Sequence, residues 1–249
     1  MPLPDLSVLA WAALVIGACV IGLSKAALPG AATLAVALFA AVLPARQSTG
    51  TILLLLIVGD VFALLAYRRH ADVRTLLRLA PAVVAGLVVG AVFLAFASDA
   101  WVRRMIAVIL LAVVAVTLVR RRLKGEGEPG RHAHRVAAAV YGSLGGFTTM
   151  VANAAGPVMS MYFIAGKFPV KAFLGTTAWF FAIVNIAKLP FSIGLGLITP
   201  QGVLIDVVLV PVVVAAALFG RWIAGRISQR VFERVVIVLT VAGALYLLF

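Results

Sequence analysis

Four polar side chains stand inside apolar sequence: Lys25, Asp60, Asn153 and Lys188. An ionisable group within lipid is costly and marks an ion or solute pathway by default. Lys25 lies between Gly22 and Pro29-Gly30, where an apolar run restarts. A helix start exposes unpaired amides and about half a positive charge, so a lysine beside one makes an anion site. The plainer reading is a lysine that snorkels to the membrane edge. Asn153 holds the comparable place in the second half, just before Gly156-Pro157. Its amide could donate to an anion, cap the helix that starts near Gly156, or do both. Gly30 and Gly156 would let the backbone approach a solute closely.

Asp60 follows Gly59 inside the apolar run 51–67, and Lys188 precedes Pro190 inside the run 172–198. Two readings stay open. They pair with each other across the two halves, or Asp60 carries a proton while Lys188 attracts an anion. Asn185 occupies Asp60's position in the second half and is neutral, so the half-sites differ chemically. Thr51, Thr176 and Thr177 follow glycines and could offer hydroxyls to a solute, although a helical threonine commonly bonds its own backbone. His70, His132 and His134 sit in basic loops without cysteine or acidic neighbours and read as solvated, so no metal site is expected. Walker, GxSxG and HExxH patterns are missing from the sequence, and with them the usual signs of ATP hydrolysis or hydrolase chemistry. No enzyme activity and no cofactor are expected.

The elements that must hold these residues are apolar throughout. Of 249 residues, 64% are hydrophobic and the mean hydropathy is +1.18, against about 45–50% apolar in a soluble domain. The chain reads as an all-α polytopic membrane protein without a separate soluble domain. Its net charge of +13 falls mostly in short loops, which fits the positive-inside rule better than a nucleic-acid partner. The single Cys19 excludes a disulfide framework. The start MPLPD has no basic n-region, so no cleaved signal peptide is expected.

Two stretches are apolar yet broken by Gly and Pro, 24–51 and 149–176. Gly-Pro interrupts the backbone ladder, and the freed amides need partners. The halves align with each other. Pro44, Arg46, Gly50, Thr51 and Asp60 match Pro169, Lys171, Gly175, Thr176 and Asn185, each 125 positions on (185 − 60). Pro81, Gly90 and Arg104 match Pro211, Gly220 and Arg234, each 130 positions on (211 − 81). Residues 1–122 form the first repeat, 123–135 a basic linker and 136–249 the second repeat.

Charge orients the repeats. Loops 68–78, 120–135 and 221–230 are basic and should be cytoplasmic. Segment 192–202, the counterpart of 68–78, carries no charge and should face outside. Equivalent loops on opposite sides mean an inverted repeat, with an odd number of crossings per half and both termini outside. About 8–10 transmembrane segments are expected, depending on whether the short broken helices span or re-enter. Inverted repeats with broken helices are a recurrent transporter plan.

GLSKAALPGA, IVGD with Tyr67, ANAAGPVMSMYFIAG and LGTTAWFFAIVNIAKLPF resemble the signature segments of the sulfite exporter TauE/SafE family, also called toluene sulfonate uptake permeases. The resemblance spans both halves. It implies a plasma-membrane secondary carrier for a small anion such as sulfite, an organosulfonate or a related organic acid. By the same resemblance Lys25, Pro29, Gly30, Asp60, Asn153, Gly156, Pro157, Asn185 and Lys188 form the functional set. The expected partners are a small anionic solute and the lipid bilayer, with a second copy of the chain as a candidate. The rival functions are an anion channel and a non-transport membrane accessory protein.

Overall fold

A computed structural model describes residues 5–26, 31–122, 131–223 and 229–248. All of its regular structure is helical among these residues. The first half contains α1 (Val8–Ala26), α2 (Ala32–Val42), α3 (Ala45–Tyr67), α4 (Val73–Phe96) and α5 (Asp99–Arg122). The second contains α6 (Arg131–Ala152), α7 (Ala155–Ala165), α8 (Val170–Gly194), α9 (Pro200–Ile223) and α10 (Gln229–Leu248). Among the described residues five helices, α1, α3, α4, α8 and α9, are long and apolar enough to cross a membrane. Helices α5, α6 and α10 have 24, 22 and 20 residues, α6 and α10 with basic residues near their starts and α5 with them toward both ends. Helices α2 and α7 have only 11 residues each, about 16 Å at 1.5 Å per residue, roughly half a span. These are the broken elements expected beside Lys25 and Asn153. The protein is a multi-pass membrane protein.

Prolines set the starts of the matching helices. Pro44 caps α3 and Pro169 caps α8, both in extended backbone (φ −48, ψ 135 and φ −56, ψ 146). The carboxylate of Asp99 accepts from the amides of Ala45 and Arg46 at 3.2 and 3.0 Å, and so satisfies two otherwise unpaired donors at the start of α3. The Arg46 guanidinium donates to the Leu94 and Ala97 carbonyls at the end of α4 and to Leu195 past the end of α8. At the other end of α3 a 3-10 turn, Arg68–His70, leads to Asp72, which caps α4 through the Thr75 amide at 3.2 Å. Partial burial pushes the Asp72 carboxyl upward. Hydrogen bonds from Thr75 and the Arg74 amide, with the Arg74 charge, outweigh that and hold its pKa below the ordinary value.

The halves pack as swapped partners. Helix α1 lies on α9 and α6 lies on α4, whereas α3 meets α8 and α5 meets α10. Exchanging the halves maps the first two pairs onto each other and the last two onto themselves. The atomic register agrees. A Cβ on Gly22 would strike the Val213 carbonyl and the Ala217 amide, and one on Gly146 would strike the Val83 carbonyl and the Leu87 amide. Both contacts shift by 130 between copies (213 − 83 and 217 − 87). Small residues at such crossings let helix backbones approach closely, which is how helices associate in lipid. The equivalent helices α3 and α8 are antiparallel. The start of α3 meets Leu195 and Leu197 just past the end of α8. Its last turn and Arg68 meet Gly175 and Trp179 near the start of α8. The basic turn 68–70 and the uncharged segment 195–199 therefore lie at opposite ends of this pair, as an inverted repeat requires.

Burial is distributed as lipid demands. Leu65, Leu77, Val88, Phe96, Ile186, Val207 and Phe219 are exposed, while Asp60, Asn153, Asn185 and Lys188 are buried.

Candidate functional site

The polar residues converge where α1, α3, α6 and α8 meet. Lys25, in the last turn of α1, donates to Asp60 Oδ1 at 2.5 Å. Its ammonium also stands 4.7 Å from the centre of the Phe181 ring, a cation–π distance. The other Asp60 oxygen accepts from Asn185 Nδ2 at 2.7 Å. Asp60 and Asn185 are 125 residues apart, which is the repeat offset. The pseudo-twofold therefore passes between them.

Lys188 is fully buried, with 0% exposure. Its Nζ donates to Asn153 Oδ1 at 2.5 Å, Thr149 Oγ1 at 3.3 Å and Asn185 Oδ1 at 3.5 Å. These acceptors are neutral, and among the described residues no carboxylate pairs with Lys188. Counted as ionised, the cluster holds two ammonium groups and one carboxylate.

The break between α6 and α7 fixes this geometry. Asn153 adopts φ +49, a left-handed conformation that asparagine tolerates better than most residues. Its backbone amide bonds Thr149. Its side chain bridges Lys188 and the Thr49 carbonyl, the latter at 3.0 Å. Thr49 in turn donates to the Val151 carbonyl at 3.2 Å, tying α3 to the end of α6.

A cavity of about 60 Å³ adjoins the cluster. Its lining includes Ser24, Lys25, Asp60, Thr149, Asn153, Gly156, Thr177, Phe181 and Asn185. At about 10–15 Å³ per water in the same measure, it holds a solute of a few heavy atoms. Thr177 Oγ1 is buried with no hydrogen-bond partner among the described residues.

Several expectations change here. Asp60 does not pair with Lys188; Lys25 takes that place, and Asn185 links the two lysine systems. Asn153 does not cap α7. The N-cap is Ala154, which makes no side-chain cap bond, because the Asn153 amide is committed to Thr49 and Lys188. The Gly22–Gly146 register puts Thr149, rather than Asn153, opposite Lys25 (146 − 22 = 149 − 25), and Asn153 lies one turn further on. Thr51 and Thr176 are not in the cavity wall. Thr51 faces Gly202 of α9, and Thr176 Oγ1 accepts from the Asp72 amide at 2.9 Å. Thr177, one residue on and about 100° around the helix, lines the cavity instead. Gly156 lines the cavity and Pro157 does not, although Pro157 stands in the first turn of α7 where its missing N–H is tolerated. Pro29 and Gly30 lie outside the described residues. Thr149 and Phe181 escaped the sequence reading, because neither a threonine nor a phenylalanine stands out within an apolar helix.

The sulfite exporter TauE/SafE family matches residues 14–247, nearly the whole chain. This protein belongs to that family. The TauE/SafE match covers every described residue of the site, so the chain is a membrane transporter of the sulfite exporter type. No curated protein and no solved structure matches it.

Proposed function

We propose that the protein is a secondary carrier that binds one small oxyanion or organic anion, sulfite being the reference solute, between its two halves. The observation that carries this reading is Lys188: a fully buried ammonium that is not itself in the cavity wall but is held by three neutral oxygens, of Thr149, Asn153 and Asn185, whose residues all line the cavity. Burying a charge without a counter-charge costs several kcal/mol. A bound anion supplies the counter-charge. The open first turn of α7 adds unpaired amides near Gly156, and the unpartnered Thr177 hydroxyl adds a donor.

Asp60 competes with the solute for Lys25. Protonation of Asp60 releases Lys25, so proton and anion bind together, and anion affinity rises as pH falls. Alternating access follows from rocking one inverted half against the other around the site. The plasma membrane is the site of action, and both termini face outside. Sulfite binding by purified protein, measured with and without Lys188→Met, tests the reading. Unchanged affinity in the variant removes the site.

A further inference from the structure

A second acid lies in the interior, away from the site above. Asp206 in α9 is 4% exposed, and among the described residues neither carboxylate oxygen has a hydrogen-bond partner. It stands one turn from Gly202, which abuts Thr51 of α3, and two turns from Val213, which abuts Gly22 of α1. Residues at such spacings share a helix face. Asp206 therefore occupies the seam where α9, from the second half, packs on α1 and α3, from the first. The Thr51 hydroxyl on the facing helix is also buried and, among the described residues, unpartnered.

The ionisable groups of α1 and α3 are Cys19, Lys25, Arg46, Asp60 and Tyr67. Lys25 is held by Asp60, and Arg46 by three main-chain carbonyls. None of the five is hydrogen-bonded to Asp206. A carboxylate so placed would be a lone charge in a dry seam, which proteins avoid by taking up a proton. A metal cation is a poor alternative. It needs several converging oxygens, and the described residues hold no cluster of three or more acidic, histidine or cysteine ligands.

We infer that Asp206 is a proton-binding site in the seam between the halves, un-ionised while the seam is closed. Loss of that proton places a charge in the seam and favours its opening to water. On the carrier reading, protonation of Asp206 is thereby linked to the rocking step, whereas Asp60 acts on anion affinity.

Infrared difference spectroscopy of the full-length protein in lipid, without anion, tests the proton site. The carbonyl stretch of an un-ionised carboxylic acid is expected at neutral pH in the wild type and in Asp60→Asn, and is absent in Asp206→Asn. Lack of this band in the wild type, or its loss on adding sodium chloride at constant pH, overturns the assignment. Transport tests the linkage. In Asp206→Asn the maximal rate should lose its pH dependence while the pH dependence of KM remains. A wild-type pH profile of the maximal rate overturns it. The spectrum needs no anion, so its failure leaves the anion site standing, and failed sulfite binding leaves the proton site standing.

Discussion

Replacing Lys188 by methionine separates binding from folding. The substitution keeps an unbranched side chain of similar length and removes the charge. An anion seated 4–6 Å from Nζ, at an effective dielectric of about 20, gains about 3–4 kcal/mol from that charge. At 1.4 kcal/mol per factor of ten, the variant should bind sulfite about two to three decades more weakly. Its fold should survive, because no carboxylate loses a partner and the cost is that of leaving the buried Asn153 oxygen without its donor, about 1–3 kcal/mol. The assay is thermal unfolding of detergent-purified protein with and without sulfite. At 100 times the wild-type Kd, sulfite should stabilise the wild type by about 2.7 kcal/mol. With Kd weakened 100-fold the same concentration gives about 0.4 kcal/mol, and with 1,000-fold about 0.1 kcal/mol. Equal sulfite stabilisation in both proteins would refute the role of Lys188.

Four further outcomes follow from the same geometry. Lys25→Met leaves Asp60 buried without its cation and should lower stability by about 3–5 kcal/mol; adding Asp60→Asn should restore unfolding temperature but not sulfite transport, and restored transport would exclude Lys25 from the site. Asp60→Asn alone should flatten the pH dependence of KM, read from uptake at several pH values, and a retained profile would remove its proton role. Gly22→Leu and Gly146→Leu should each abolish monodisperse expression, because a side chain there meets helix backbone, whereas Gly194→Ala, with nothing within 4 Å, should be neutral or slightly stabilising. The lowered pKa of Asp72 means its cap is strongest above the ordinary aspartate pKa of about 3.9 and fades as pH falls through the folded value; Asp72→Ala should cost about 1 kcal/mol at neutral pH and progressively less in acid, as seen by thermal unfolding.

The fold was legible in the sequence where rigid residues repeat. Pro44 and Pro169 each start a helix because proline presets its own φ and pushes the preceding residue to extended backbone, so their common offset survives into three dimensions. Gly22 and Gly146, which mark the two equivalent helix crossings, emerged only from the packing. The pairing inside the site was not legible. Nothing in sequence spacing says whether Lys25 or Lys188 reaches Asp60, since that depends on which helices cross at which depth. The choice between Thr176 and Thr177 turns on a single helical residue, which moves a side chain by about 100° and out of the cavity. Asp206 was within reach. The rule that singles out Asp60, an acid within an apolar run, applies equally to Asp206 in the run 203–220, but no Gly-Pro break draws attention to it.

The inverted arrangement has its own check. In a Cys19→Ala background, single cysteines at Arg69 and Ile198 should react with an impermeant thiol reagent from opposite faces of the membrane, and reaction from one face would contradict the antiparallel α3–α8 pair.

The carrier itself is tested most directly by sulfite counterflow in proteoliposomes. Internal unlabelled sulfite should accelerate entry of labelled external sulfite, with saturation, in the wild type and not in Lys188→Met. Entry that never saturates and ignores internal sulfite would contradict a binding site that alternates between the two sides.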